Sequence, residues 1–292
     1  TLQINSNDIL IFPSADYYGA KALLKKLATI EIENRPKVHF RFIGSLETPH
    51  SFYNHHLPEL IALINKNYHT VSVSAEVPIY ARYLNSLTPN LQVIAEPFPV
   101  EERKSFDNKI AVKNKKPFTI LLPGSNRADK GYFDVFHIAK EILFEFPSIK
   151  LVVQDMKKQN KFFNRKYRIK LKELANINLV DAVLMREKIL ELYEDADLIL
   201  LPYDPGVYHF RGSGIHYEAI QNGIPVLARK GTGFVEEINN WSSGWTYETK
   251  QDLLFQLGKI LEIDSKEMEE KMKNAFKNFK QYSDEAYRFN LP

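Results

Sequence analysis

The sequence predicts an α/β protein of two doubly wound parallel-sheet lobes. Three observations lead there. Short apolar runs alternate with amphipathic helical stretches along the chain, which is the pattern of strand–helix–strand units and parallel sheets. At 292 residues the chain is too long for one ordinary core, so two lobes are expected. A charged stretch with few large apolar residues, Val100 to Lys116, divides the alternating series in two and reads as an interdomain linker.

In the first series Asp8 to Phe12 reads as a strand, and Ala20 to Ile30 as a helix with Leu23, Leu24 and Leu27 on one face. Val38 to Ile43 is the next strand. Leu57 to Ile64 is helical, Thr70 to Ser74 a strand, Val77 to Leu84 a helix and Leu91 to Ala95 a strand. Glu96-Pro97-Phe98-Pro99 then breaks the pattern. Residues 1–110 are therefore expected to form an N-terminal lobe, short or truncated. In the second series Phe118 to Leu122, Lys150 to Gln154, Asp197 to Leu201 and Pro225 to Ala228 read as strands. Gly131 to Phe146, a basic stretch from Lys161 to Ala175, Ile189 to Asp195 and Ser213 to Gln221 read as helices. They place the second lobe at 111–275. Gln251 to Tyr287 reads as two helices parted near Asp264-Ser265, with Ser265 as a cap and Glu267, Glu269 and Glu270 in the first turns. The tail, 276–292, is expected to pack back on the first lobe. In such an architecture ligands sit at the carboxyl ends of the strands, in the cleft.

Composition narrows the function. Hydrophobic residues make up 44% and charged residues 26%, as in a soluble globular protein. The net charge is only +3. That balance, with no aromatic–basic interleaving, argues against a nucleic-acid binder. Lysine runs at Lys113 to Lys116 and Lys157 to Lys172 fit either a solvated face or attraction to an anionic surface. There is no cysteine, which excludes disulfides, thiolate metal sites and thiol chemistry and fits a reducing cytoplasm. No apolar run approaches the roughly 18 to 20 residues of a membrane-spanning helix, and the sequence opens on no signal-peptide pattern.

Two stretches carry chemistry. Leu122-Pro-Gly-Ser-Asn-Arg-Ala-Asp-Lys-Gly131 follows a strand and precedes a helix. Gly124 permits a tight turn. Arg127 and Lys130 lie before the helix, where two cations beside helix amides suit a pyrophosphate. The same residues also fit a plain polar loop, and the spacing is neither a dinucleotide fingerprint nor a P-loop. Further on, Arg211, Gly212, Ser213 and Gly214 precede a helix that holds Ile215 and Glu218. Small residues at a helix mouth let a phosphate reach free amides, and Glu218 can accept from ribose hydroxyls. Ser213 as an ordinary N-cap and Glu218 as a dipole-compensating acid fit equally well.

The ordered set Arg127-x-x-Lys130-Gly131, Asp197-Leu-Ile-Leu-Leu-Pro-Tyr203, Ser213-Gly214, Glu218-Ala219 and Gly223-Ile-Pro-Val226 resembles the C-terminal half of GT-B glycosyltransferases, most closely retaining family 4. The resemblance runs from Phe118 to Ile238. It implies two Rossmann-like lobes and a nucleotide-diphosphate sugar as donor. It implies that Arg127 and Lys130 serve catalysis by holding the diphosphate. Gly124, Arg211, Ser213, Gly214 and Ile215 would bind the donor, Glu218 the ribose, and Asp181 to Met185 would border the base. The family's Glu-x7-Glu motif would put a donor-sugar Glu at position 210, where this chain has Phe210. Arg211-Gly-Ser-Gly214 resembles the Arg-x-Ser-Gly version found in some relatives.

The expected function is transfer of a sugar to a saccharide or lipid-linked acceptor in bacterial surface polysaccharide synthesis. No metal or other cofactor is expected, because basic side chains and helix amides offset the leaving diphosphate. The setting implied is the cytoplasm, at the inner face of the membrane, with peripheral contact. A sugar-nucleotide epimerase on the same fold and a non-catalytic nucleotide-sugar binder are the alternatives. His50, His55 and His56 cluster without acidic partners at ligand spacing, which fits a surface loop better than a metal site. Asp16, Tyr17 and His209 border the cleft in this reading or serve as turn residues.

Overall fold

A computed structural model describes residues 4–44, 57–97, 117–124, 127–155, 163–181 and 184–290. The histidine cluster and the linker fall outside them. Two parallel sheets organise the chain. The first has four strands, β1 (Ile9–Ala15), β2 (Lys37–Phe42), β3 (Val71–Ala75) and β4 (Ile94–Ala95), hydrogen-bonded in that order. Helices α1 (Tyr17–Leu27), α2 (Leu57–Lys66) and α3 (Pro78–Leu87) connect them. Strands in simple chain order with right-handed crossovers put their helices on one face. Val38, Phe40, Phe42, Val71 and Val73 share a core there with Leu24, Leu27, Leu60 and Ile64. The alternate residues point the other way and are polar: His39 bonds Ser72 at 2.9 Å and Glu96 at 3.0 Å, and Arg41 Nε donates to the Glu96 carbonyl at 2.7 Å.

The second sheet has six strands: β5 (Thr119–Leu122), β6 (Lys150–Asp155), β7 (Ile177–Asp181), β8 (Leu198–Leu201), β9 (Val226–Arg229) and β10 (Gly244–Tyr247). Their order is β10-β9-β8-β5-β6-β7, so the winding reverses between β5 and β8. The helices of this lobe are α4 (Tyr132–Glu145), α5 (Phe163–Lys172), α6 (Arg186–Asp195), α7 (Pro205–Tyr208), α8 (Gly214–Gln221), α9 (Val235–Trp241) and α10 (Lys250–Glu262), followed by α11 (Ser265–Asn290). Both faces of the sheet are buried, which is why its central strands read as continuous apolar runs. Ile120, Leu122, Leu151, Val153, Leu198 and Leu200 pack under α4 and α10. Leu121, Val152, Ile199, Leu201, Val226 and Ala228 join a core continuous with that of the first sheet.

Element ends moved where side-chain chemistry overrides periodicity. Helix α1 begins three residues before the apolar pattern does, because Asp16 caps it by accepting from the Gly19 amide at 2.8 Å. Strand β4 keeps only two residues of the expected Leu91–Ala95 run. Strands β7 and β10 and helices α7 and α9 are absent from the sequence reading. The two strands are the outer edges of the sheet, where burial demands fewer apolar residues. The two helices have four and seven residues, too few to show a helical period. Helix α11 lies against both lobes. Phe279 stacks on Tyr217 at 5.6 Å, and Tyr282 Oη donates to the Ala95 carbonyl at 3.3 Å. Among the described residues no helix is long and apolar enough to cross a membrane.

Candidate functional site

The loops after β5 and β8 leave the sheet on either side of its switch point, where a crevice forms. Gly124 follows β5 with φ +100°, and its amide donates to the Gln154 side-chain carbonyl of β6. A Cβ at Gly124 would lie 3.0 Å from Lys130 Nζ and 2.9 Å from Ile215 Cδ1. One small residue is thus touched by the cation of the first loop and by the first turn of α8. Lys130 lies with Nζ 5.3 Å from the centroid of the buried Tyr203 ring. Gly131, φ +76°, ends the loop where any side chain would overlap the Pro202 carbonyl, so the β5 and β8 loops dock backbone to side-chain-free backbone.

Arg127 lies three residues before Lys130 in the same loop. Its guanidinium grips Asp129 at 2.9 and 2.6 Å and donates to Tyr208 Oη at 3.0 Å. Arg211 reaches the same carboxylate at 3.6 Å and lies 5.5 Å from the Tyr208 ring centroid. Asp129 therefore ties together the two arginines that the sequence reading drew from distant stretches. The Asp129 carboxylate raises the Arg127 pKa. Burial, and next the Arg127 charge, lower that of Lys130. Crowded cations make each other's charge costly, and an anion between them removes that cost.

Ser213 caps α8, its hydroxyl accepting from the His216 amide at 3.3 Å. Among the described residues, the one after it, Gly214, has nothing within 4 Å of where a Cβ would stand, so the chain enters the helix with open space beside it. Glu218, one turn further, accepts from Tyr193 Oη at 2.6 Å. Gly124, Lys130 and Ile215 meet here, Asp129 joins Arg127 to Arg211, and α8 carries Ser213 as its cap with Gly214 and Glu218. Residues 182 and 183 of the segment expected to border the base lie outside the described residues. Asp16 and Tyr17 lie elsewhere: Asp16 is a helix cap, and Tyr17 Oη is 2.9 Å from Tyr80 Oη inside the first lobe. His209 Nδ1 lies 3.3 Å from the Gly231 carbonyl.

Sequence reasoning gave no role to Asp129, Tyr193 or Tyr208, and named Tyr203 only as the end of a motif. Asp129 was within sight, two residues from Arg127 in the same loop. It also missed what Phe210 does. That ring is buried against Tyr80 and Tyr83 of α3, at 5.3 and 4.9 Å between centroids. The position where the resemblance expects a carboxylate is an aromatic contact between lobes.

The family described as Glycosyl transferases group 1 matches residues 103–279, more than half of the chain. The chain belongs to that family. Among curated proteins no sequence matches this group 1 member. Solved structures do. Anabaena HepE, crystallised with UDP and glucose, superposes with a TM-score of 0.66 at 15% identity, over 94% of this chain and 73% of that one. An E. coli trehalose-6-phosphate structure bound with UDP-2-fluoro glucose gives 0.70 at 12% identity, covering 99% and 73%. Sucrose-phosphate synthase from Thermosynechococcus elongatus gives 0.68 at 12% identity, covering 96% and 71%. The group 1 protein therefore has the GT-B fold, with two parallel-sheet Rossmann-like lobes.

Proposed function

We propose that this glycosyltransferase moves a sugar, with retention in the manner of family 4, from a nucleotide-diphosphate sugar to a saccharide or lipid-linked acceptor. The observation that carries the reading is the meeting of Lys130, Gly124 and Ile215 at the mouth of α8. There a cation and a helix N-terminus act on one point. Departure of a nucleoside diphosphate from the anomeric carbon builds negative charge on the diphosphate. Lys130, Arg127 and the free amides of α8 offset that charge as it develops. Glu218, held by Tyr193, takes the ribose. No metal is required by this scheme. UDP is the first nucleotide to test, since the solved structures of HepE hold it. Surface polysaccharide synthesis at the cytoplasmic face of a bacterial membrane is the setting we favour.

Calorimetry with UDP and GDP tests the reading. Lys130→Ala should weaken the better ligand by tenfold or more, about 1.4 kcal/mol or above, and Glu218→Ala by less. Unchanged affinity in both variants removes the site. One observation favours a second reading, a binder without turnover: Phe210 occupies the expected carboxylate position. UDP binding with no donor hydrolysis or transfer on any acceptor offered would support it.

A further inference from the structure

The loop that enters α8 is shaped from outside its own lobe. Glu76 directly follows β3 of the first lobe, where its amide donates to the Phe42 carbonyl at 3.0 Å. Its side chain crosses to the second lobe and Oε2 accepts from the Gly212 amide at 3.0 Å. Glu76 is 7% exposed. The fit is close: a Cβ at Gly212 would stand 2.7 Å from both Cγ and Cδ of Glu76. A second first-lobe residue grips the loop beside it. Gly44, after β2, accepts from Arg211 Nε at 3.3 Å, and a side chain there would overlap the Phe210 carbonyl. Residues 210–212 are thus held by the first lobe, while Gly214, two residues on, faces the open helix mouth. Committing the Gly212 N–H to Glu76 orients the Arg211–Gly212 peptide plane. That orientation sets the direction in which Ser213 and Gly214 present their amides, and the place where Arg211 meets Asp129.

We propose that Glu76 is a positioning residue that holds the Arg211–Gly214 loop in its anion-receiving shape, so that donor binding requires the two lobes to be docked. The proposal rests on the donor-site reading above and adds the first lobe to it. The bond needs an acceptor oxygen, not a charge. Burial pushes the Glu76 carboxyl up, opposed by the Gly212 amide and by Arg41 and Arg211. Tyr217 and Glu237 also face it. A glutamine carbonyl can serve in its place.

The test uses the whole chain, with UDP as probe, and compares Glu76→Ala, Glu76→Gln, Gly212→Ala and Lys130→Ala by calorimetry and by amide exchange at Gly212. Glu76→Ala should bind UDP about tenfold more weakly and lose protection at the Gly212 amide, and Glu76→Gln should restore affinity to within about threefold. Gly212→Ala should weaken binding as well, and adding Glu76→Ala to it should cost little more, since the clash is then gone. Wild-type affinity in Glu76→Ala, with Lys130→Ala impaired, overturns the proposal and leaves the donor site standing. Wild-type affinity in Lys130→Ala as well overturns the donor-site reading itself. If Glu76→Ala does not fold, undiminished UDP affinity in Gly212→Ala overturns the proposal.

Discussion

Phe210 and Tyr83 lie nearly face to face across the lobe junction, ring centroids 4.9 Å apart and planes 17° from parallel. Tyr80 flanks the same ring at 5.3 Å. Stacked aromatics at this spacing add to the area they bury. Phe210→Ala should therefore cost about 3–5 kcal/mol of stability. Phe210→Glu, which writes the resembled motif back in, should be at least as costly, since it buries a carboxylate among tyrosine rings. Urea midpoints decide it: a Phe210→Glu protein as stable as wild type would show that the ring is not part of the junction's packing.

Two glycines separate stability from binding. Gly131 has φ +76° and its missing side chain makes room for the Pro202 carbonyl. Gly131→Ala should destabilise by about 2–4 kcal/mol. Gly214 starts α8 in open space. Gly214→Ala should leave the melting temperature unchanged or slightly higher, yet weaken UDP binding severalfold by placing a methyl group before the helix amides. A melting curve and a titration on each variant give the comparison, and the reverse pattern would refute it.

His216 titrates against the fold. It is fully buried, its Nε2 2.8 Å from Ser243 Oγ and its ring stacked on Trp241. Burial lowers its pKa from 6.5 to about 3. With the folded value below the unfolded one, its contribution is whole above pH 6.5 and drains away as pH falls toward 3. The slope for one such group approaches about 1.4 kcal/mol per pH unit. His216→Gln should be less stable than wild type at pH 7, and that gap should narrow at pH 5. Equal gaps at the two pH values would contradict the argument.

Glu237 titrates in the opposite sense. Burial first, then the nearby Glu76, raises its carboxyl well above the usual range, against the hydrogen bond from Tyr217 Oη. Arg41 and Glu236 also bear on it. A folded pKa above the unfolded one means that stability is whole below about pH 4.3 and is lost as pH rises through the folded value. Glu237→Gln keeps an acceptor for Tyr217 and cannot ionise. Its stability relative to wild type should grow between pH 5 and pH 8, read as a difference in urea midpoint. A difference that stays flat with pH would rule this out.

The wall of the site that was legible in the sequence is local. Gly124, Arg127, Lys130, Ser213 and Gly214 each sit between a strand and the helix that follows, and the chemistry of such a junction depends on neighbours a few residues away. The central strands β5, β6 and β8 were legible for a related reason, since a strand buried on both faces must be apolar throughout. Edge strands β7 and β10, half-exposed, carry no such mark.

From its sequence alone this protein is determined as two parallel α/β units with cations and small residues at the helix mouths of the second, because strand burial and helix entry are written in short stretches. Only the tertiary structure decided that Asp129 joins Arg127 to Arg211, that Phe210 closes the lobe junction, and that Glu76 takes hold of Gly212, a residue 136 positions away. Such partners are chosen by how two separately folded surfaces meet, and no local spacing in the chain encodes that meeting.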